Sequence, residues 1–411
     1  MISPRTVLRN IGILYRCLLE GGQAEIHALK GAAVAWENGS ITWAGLEQEI
    51  PSELLSATTI DAGGKVVVPG LIDCHTHLAF GGWRAGEFEK RILGRSYLEI
   101  ANSGGGIAST VESTRAATKQ QLIERCLKFL NSMASLGVTT IECKSGYGLS
   151  LEEELKILQV YKELSGCQAI KIVSTLLAAH TVPPEFKDNR ENFIELICER
   201  IIPEAAKLKL AHFCDVFVED SAFTIPEAER ILAAAARFGF RPKLHADQLS
   251  AGGGAELAAK VRAISADHLE HTSQQGIAAM AEAGVVAVSL PLASLLTAEK
   301  PMMARAWIDA GVKVAVATDF NPGSAPSFHL PLAMMLACTM NRMTPAEVLK
   351  GVTAYAACAL GIEAKYGSIA PGMSADMAVI ECDDVAHWLY HFVPNACTLT
   401  IKDGRVIYQS N

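Results

Sequence analysis

Hydrophobic and polar positions follow two different patterns along this chain. Toward each end they alternate, as in AAVAWENGSITWAG, where Asn38-Gly39 parts two alternating segments, and in ACTLTIKDGRVIY, where Asp403-Gly404 does the same. Alternation marks strands buried on one face, and both dipeptides tolerate the positive φ angles of a type I′ hairpin turn. MSADMAVIECDD supplies one more strand near the C-terminal end. Short strands at both termini, with few hairpins between, predict a discontinuous β-sandwich lobe built from residues 1–61 and 365–411.

The middle of the chain behaves differently, because short apolar runs there alternate with helical patterns of ten or more residues. The runs are VVVPGLIDCHTH, GVTTIECKSG, KIVSTLLAAH, CDVFVED, RPKLHAD, RAISADH, GVVAVSLP and VKVAVATD, eight in all. Amphipathic stretches such as QLIERCLKFLNSMASL, LEEELKILQVYKEL, IPEAERILAAAARF and KPMMARAWIDA lie between them. Eight strand-then-helix units with strands buried on both faces predict an α/β fold, a (β/α)8 TIM barrel over residues 62–364. No G-x-G-x-x-G follows the first strand, which argues against a dinucleotide fold.

In such barrels the chemistry sits at the C-terminal ends of the strands. The first run ends in His75 and His77, the third in His180, the fifth in His245, the sixth in His268 and the eighth in Asp319. Side chains two apart on a strand share a face, so His75 and His77 can aim at one ion. An H-x-H alone is weak, since two polar residues can simply close a strand; the later histidine and aspartate turn it into a metal site of His75, His77, His245 and Asp319. Imidazole nitrogens with one carboxylate suit a single zinc ion, with iron or manganese as substitutes.

Composition narrows the partners. The 411 residues are 50% hydrophobic and carry a formal charge of -8 without any Lys/Arg block, so neither nucleic acid nor an anionic membrane is an expected partner. A small molecule is. Eleven cysteines with no C-x-x-C pair read as buried thiols in a reducing cytoplasm. No apolar run approaches the ~18 residues of a membrane span, and the N-terminal stretch lacks the pattern of a secretory signal.

VPGLIDCHTHLAF, LHAD, SADHLEH, ATDFNPGSAPS and YGSIAPGMSADMAVI together resemble the amidohydrolase superfamily of metal-dependent barrels. Within it, GGWRAGEFEKR, NSGGGIASTV, ECKSGYGLS and LLAAHTVPPEF are similar to the imidazolonepropionases of histidine degradation, across essentially the whole chain. The resemblance implies hydrolysis of the ring amide of 4-imidazolone-5-propanoate to N-formimidoyl-L-glutamate, and a homodimer. It also implies roles. His268 would be general base or acid and stabilise the developing oxyanion, and Asp319 would pass the water proton to the leaving nitrogen. Arg84 would hold the propanoate with a guanidinium fork, although by composition alone a loop arginine is usually solvated.

Tyr147 and His180 match family positions that contact substrate; so do Asn321, Gly323 and Ser324, with Gly323 offering a bare backbone N–H, although N-P-G is also turn chemistry. Gln248 stands where related enzymes carry glutamate; it can orient the ring by hydrogen bonding but cannot shuttle a proton. The run Gly104-Gly105-Gly106 reads as a lid segment or an ordinary loop. Lys144 follows the second strand, whereas the carboxylated lysine of two-metal relatives belongs on the fourth, so one metal is expected. His212, His271 and His329 break the strand-end pattern and read as structural. Two rivals stand beside this reading: an aminohydrolase of nucleobase-like rings, and a barrel that has lost its metal and serves as a scaffold.

Overall fold

The computed structural model describes residues 5–95, 99 and 105–410. It opens with β1 (Thr6–Tyr15), β2 (Ala28–Glu37), β3 (Ser40–Leu46), β4 (Thr58–Asp61) and β5 (Val66–Pro69). Then come β6 (Leu71–Asp73), β7 (Val138–Lys144), β8 (Lys171–Ala179), β9 (Phe213–Val218), β10 (Arg241–Ala246), β11 (Ser265–His268), β12 (Val286–Ser289) and β13 (Val314–Val316). The chain closes with β14 (Met377–Ile380), β15 (Cys397–Lys402) and β16 (Arg405–Gln409).

The terminal strands form one mixed sheet, ordered β16-β15-β14-β5-β1-β2-β3 with β4 beside β1. Both predicted hairpins are present as two-residue turns, closing on the pairs Glu37↔Ser40 and Lys402↔Arg405. Asn38, Gly39, Asp403 and Gly404 all have positive φ, as a type I′ turn requires. The two turns also meet, since Trp36 Nε1 donates to the Gly404 carbonyl at 3.1 Å. This contact ties the N-terminal part of the sheet to the C-terminal part.

The eight strands β6 to β13 lie in sequence order in a second sheet, every neighbouring pair parallel. Strands such as β7 and β9 are buried at every position, as a sheet covered on both faces demands. The sheet closes on itself between β13 and β6, beyond the ends of both strands. There His77 N donates to Phe320 O (2.8 Å) and Asp319 N to His75 O (3.1 Å). The Asp73 carboxylate fastens the same seam, accepting from Thr318 N at 3.1 Å and Thr318 Oγ1 at 2.6 Å.

Two sequence expectations need correction. VVVPGLIDCHTH is not one strand: Val66–Pro69 pairs with β1 and β14 in the terminal sheet, and Leu71–Asp73 pairs with β7 in the barrel. The break falls at Gly70, where a β-carbon would sit 2.3 Å from Thr139 Oγ1, so only glycine lets the backbone cross that closely. In KPMMARAWIDA only Ala304–Asp309 is helical. Met302 is instead fully buried, and its carbonyl accepts from Asn341 Nδ2 at 2.8 Å, which holds that stretch outside the helix.

Candidate metal centre and active site

The barrel brings the strand-end residues together. His75 and His77 follow β6, His245 lies in β10, His268 ends β11 and Asp319 follows β13; all are at most 3% exposed. Since β6 and β13 are the two sides of the closing seam, the residues furthest apart in sequence become neighbours. Asp319 Oδ1 lies 3.3 Å from His75 Nε2 and 3.5 Å from His77 Nε2. His77 Nε2 and His245 Nε2 are 3.4 Å apart. His75, His77 and Asp319 each bring a ligand atom to within 4.8 Å of the others, and so do His75, His245 and His268.

The protonation pattern suits a cation. His75 Nδ1 is 2.7 Å from Asp267 Oδ2 and His245 Nδ1 is 3.1 Å from Asp215 Oδ1, so each ring donates from Nδ1 and turns the lone pair of Nε2 inward. His75 Nε2 is buried with no hydrogen-bond partner. Burial, then the Lys144 charge, holds His75 well below its ordinary pKa; burial likewise dominates at His77 and His245. Neutral imidazoles are the form that binds metal. Donors about 2.0–2.1 Å from a tetrahedral ion are about 3.3–3.4 Å from each other, close to the separations found here. The donor set therefore fits a divalent ion, in a His/Asp metal-binding site.

Asp319 and His268 have unusual environments. Burial raises Asp319 to about 6, against the opposing charge of His268 and a hydrogen bond from Asn321. Asn321 Nδ2 donates to Asp319 Oδ2 at 3.0 Å, which leaves Oδ1 turned toward the histidines. Burial works to lower the pKa of His268, but Glu270, whose Oε1 lies 3.7 Å from Nδ1, and then Asp319 outweigh it, and the imidazole is held above its usual value. Both residues have positive φ, 81° at His268 and 55° at Asp319, a strained conformation that gathers at functional sites.

Above the cluster lies a narrow cleft, lined by His77, Arg84, Tyr147, His180, His245, Gln248, His268, Asp319, Asn321 and Ser324. His75, fully buried, sits beneath it. His180 stacks on His77 with ring centres 5.2 Å apart, and its Nδ1 is anchored 3.0 Å from Gly146 O. Burial lowers the His180 pKa to about 4, so the ring is neutral. Arg84 is buried, and its Nε and Nη1 have no hydrogen-bond partner.

The N–H of Gly323, expected to be bare, is not: it donates to Asn321 Oδ1 at 2.8 Å, as does Ser324 N. An asparagine side chain that accepts from the backbone two residues on is the turn chemistry that N-P-G also allows. Of the glycine run, Gly104 lies outside the described residues, and Gly106 N donates to Glu87 Oε1 at 2.7 Å. His212, His271 and His329 do not line the cleft. His329 caps the helix Leu330–Thr339, its Nδ1 accepting from Leu332 N.

Of the polar layer beneath the cluster, sequence reasoning singles out only Lys144, and that as a second-metal ligand to be set aside. Glu142, Lys144, Asp215, Lys243 and Asp267 are at most 1% exposed, and all lie in barrel strands. Their signal was available as charges inside otherwise apolar runs, in TIECK, CDVFV, PKLHA and SADH. Phe217, Leu249, Thr297 and Glu299 also line the cleft without having been foreseen.

Comparison with known proteins agrees with this architecture. Residues 66–407 match the family model described as "Amidohydrolase family". The imidazolonepropionase of Geobacillus sp. strain WCH70 is 44% identical over 390 residues, covering 94% of this chain and 92% of that protein. That of Fusobacterium nucleatum is 45% identical over 363 residues, 88% of each. Among solved structures, the atrazine chlorohydrolase of Arthrobacter aurescens superposes with a TM-score of 0.71 at 18% identity, covering 98% of this chain and 94% of that one. The ochratoxinase of A. niger gives a TM-score of 0.71 at 20% identity over 99% and 96%. These two share the fold. No helix among the described residues is long and apolar enough to cross a membrane. Barrel, metal cluster and relatives agree, and the chain belongs to the amidohydrolase family, within its imidazolonepropionase branch.

Proposed function

We propose that the protein hydrolyses the ring amide of 4-imidazolone-5-propanoate to N-formimidoyl-L-glutamate, the step of histidine degradation implied by its relatives' shared name. The observation that carries the reading is Arg84. A buried guanidinium whose Nε and Nη1 make no hydrogen bond, with the Glu87 carboxylate only as near as 3.7 Å to Nε, on the wall of a cleft above the His/Asp cluster, calls for an anion on the same small molecule whose other end meets the metal. A propanoate on a cyclic amide supplies both ends.

His75, His77, His245 and Asp319 would hold the ion, and zinc is the metal we favour for its preference for nitrogen and oxygen donors in a tetrahedral set, with iron as the alternative. A divalent ion bound there lowers the pKa of water and polarises the ring carbonyl. His268, held toward its charged form beside Asp319, stabilises the oxyanion that develops as water attacks the carbonyl carbon. Asp319 takes the proton of the attacking water and delivers it to the ring nitrogen as the carbon–nitrogen bond breaks. Tyr147, His180 and Gln248 contact and orient the ring, while Asn321 and Ser324 hold Asp319 in position from the cleft wall.

The same reading places the enzyme in the cytoplasm, supported by eleven cysteines that form no disulfide, and as a homodimer, the commonest symmetric assembly. The direct test is spectrophotometric consumption of freshly prepared 4-imidazolone-5-propanoate, with and without chelator. Turnover abolished by chelation supports the proposal. Ammonia release from a panel of nucleobases with no loss of imidazolonepropanoate would overturn it in favour of an aminohydrolase, and a folded protein that retains no metal and turns over neither would leave a scaffold.

A further inference from the structure

Lys144 ends β7 at 1% exposure, beneath the metal cluster and out of reach of the cleft. Its Nζ donates to Asp215 Oδ2 at 2.7 Å, to Asp267 Oδ2 at 3.2 Å and to Glu142 Oε1 at 3.1 Å. Two of these acceptors are the carboxylates that receive Nδ1 of His245 and Nδ1 of His75. Asp215 uses its other oxygen for His245, and it takes the His245 backbone N–H as well, at 3.2 Å. Asp267 uses Oδ2 for both Lys144 and His75, and its Oδ1 accepts from Ser265 Oγ at 2.7 Å. One ammonium thus joins two carboxylate–histidine chains that arise on different strands, β9 with β10 and β11 with the segment after β6.

We infer that Lys144 is a positioning residue for metal binding: by gripping Asp215 and Asp267 together it sets the tautomer and direction of His245 and His75 at once. The physical grounds are those of any outer layer around a metal. A ligating imidazole is held by what its second nitrogen donates to, and that acceptor is useful only if it is itself fixed and ionised. Two carboxylates buried in the middle of a barrel satisfy neither condition without a cation between them. A histidine oriented from behind then presents Nε2 in one direction, and the ordering needed to bind an ion is already complete when it arrives.

Lys243 separates this role from charge balance. It is fully buried as well and forms an ion pair with Glu142 at 3.2 Å, but it donates its hydrogen bond to the Ala359 carbonyl. Its charge also favours the ionised form of both Asp215 and Asp267, at Asp267 ahead of Lys144, but among the described residues no hydrogen bond or ion pair joins it to either, so it supplies charge without the grip.

The inference rests on the metal site proposed above, so the experiment begins with wild type. Zinc retention is measured by competition with a chromogenic chelator, and geometry by the visible spectrum of the cobalt-loaded protein. Lys144→Met is expected to weaken metal binding about 10- to 100-fold and to alter the cobalt spectrum. Lys243→Met should leave both near wild type. If Lys144→Met does not fold, Lys144→Met combined with Glu142→Gln removes one charge of each sign while leaving Asp215 and Asp267 ungripped, and the same loss of affinity is expected. Wild-type affinity in either Lys144 variant, or an equal loss in Lys243→Met, would overturn the inference. Failure of wild type to bind any divalent ion would instead remove the metal site on which it stands.

Discussion

The guanidinium of Arg84 lies over the α-carbon of Gly323: a β-carbon at residue 323 would fall 1.2 Å from Arg84 Nη2 and 1.8 Å from its Cζ. The two residues come from opposite sides of the closing seam, and Arg84 N donates to Pro322 O at 3.1 Å beside them. Gly323→Ala should therefore displace the guanidinium and leave the metal cluster alone. We expect KM to rise about tenfold or more, the scale of a lost charge-assisted hydrogen bond, with metal content unchanged. Steady-state kinetics beside metal analysis check this, and an unaltered KM would exclude the contact between Arg84 and substrate.

Arg84→Lys probes the same contact from the other side. A lysine keeps the charge but loses the planar fork that meets a carboxylate with two parallel bonds. The expected result is a higher KM with kcat reduced by a smaller factor. A loss confined to kcat would assign Arg84 to the chemistry instead of to binding.

Replacing His268 by alanine should lower kcat by about 10²- to 10⁴-fold and change KM little. Single-turnover rates and zinc content of the purified variant decide the matter. Retained metal with lost turnover fits a proton-transfer or oxyanion role, whereas lost metal would make His268 a ligand, as its nearness to His75 and His245 also allows.

Removal of the ion should cost stability as well as activity. A ligand at a hundred times its Kd stabilises the folded state by about 2.7 kcal/mol. Dialysis against chelator is expected to abolish turnover and lower Tm by several degrees, and zinc, iron or manganese should restore both. An unchanged Tm on removing measurable metal would argue against binding at a buried site.

Away from the site, Glu227 offers a pH test. It is the third residue of the helix Ile225–Arg237 and completes a capping box with Thr224, and Arg190 Nη2 donates to its Oε2 at 2.7 Å. The Arg190 hydrogen bond lowers its pKa from 4.5 to about 2 against the cost of burial. A depressed carboxylate stabilises the fold above its unfolded pKa and loses that contribution as pH falls through the folded one. Glu227→Gln should therefore be less stable by about 0.5–1 kcal/mol near neutrality, the scale of a partly exposed ion pair. The gap should narrow between about pH 4.5 and 2, read by denaturant unfolding at a series of pH values, and a gap constant throughout that window would refute the assignment.

The order of the eight barrel strands, the two terminal hairpins and the residues at the strand ends were all legible in the chain, because each is encoded locally. A two-residue turn needs particular φ angles, a doubly covered strand needs an unbroken apolar run, and an imidazole closing such a run marks the point where the strand meets the barrel mouth. What the linear pattern could not convey was pairing across distance. Val66–Pro69 reads like the barrel strand it adjoins but pairs in the other sheet, and the glycine at the break answers to Thr139, 69 residues beyond it in the chain. Gly323 reads as a substrate position with a bare N–H, or else as a turn; its N–H is taken by Asn321, and a β-carbon there would meet a guanidinium from the other side of the barrel seam. Lys144 reads in the sequence only as a bridging lysine for a second metal, to be set aside; its contacts with Asp215 and Asp267 exist only once the barrel has closed around it. Backbone propensity and burial are properties of neighbouring residues, while the direction of a buried imidazole is decided by carboxylates that only a closed ring of strands brings within hydrogen-bonding range.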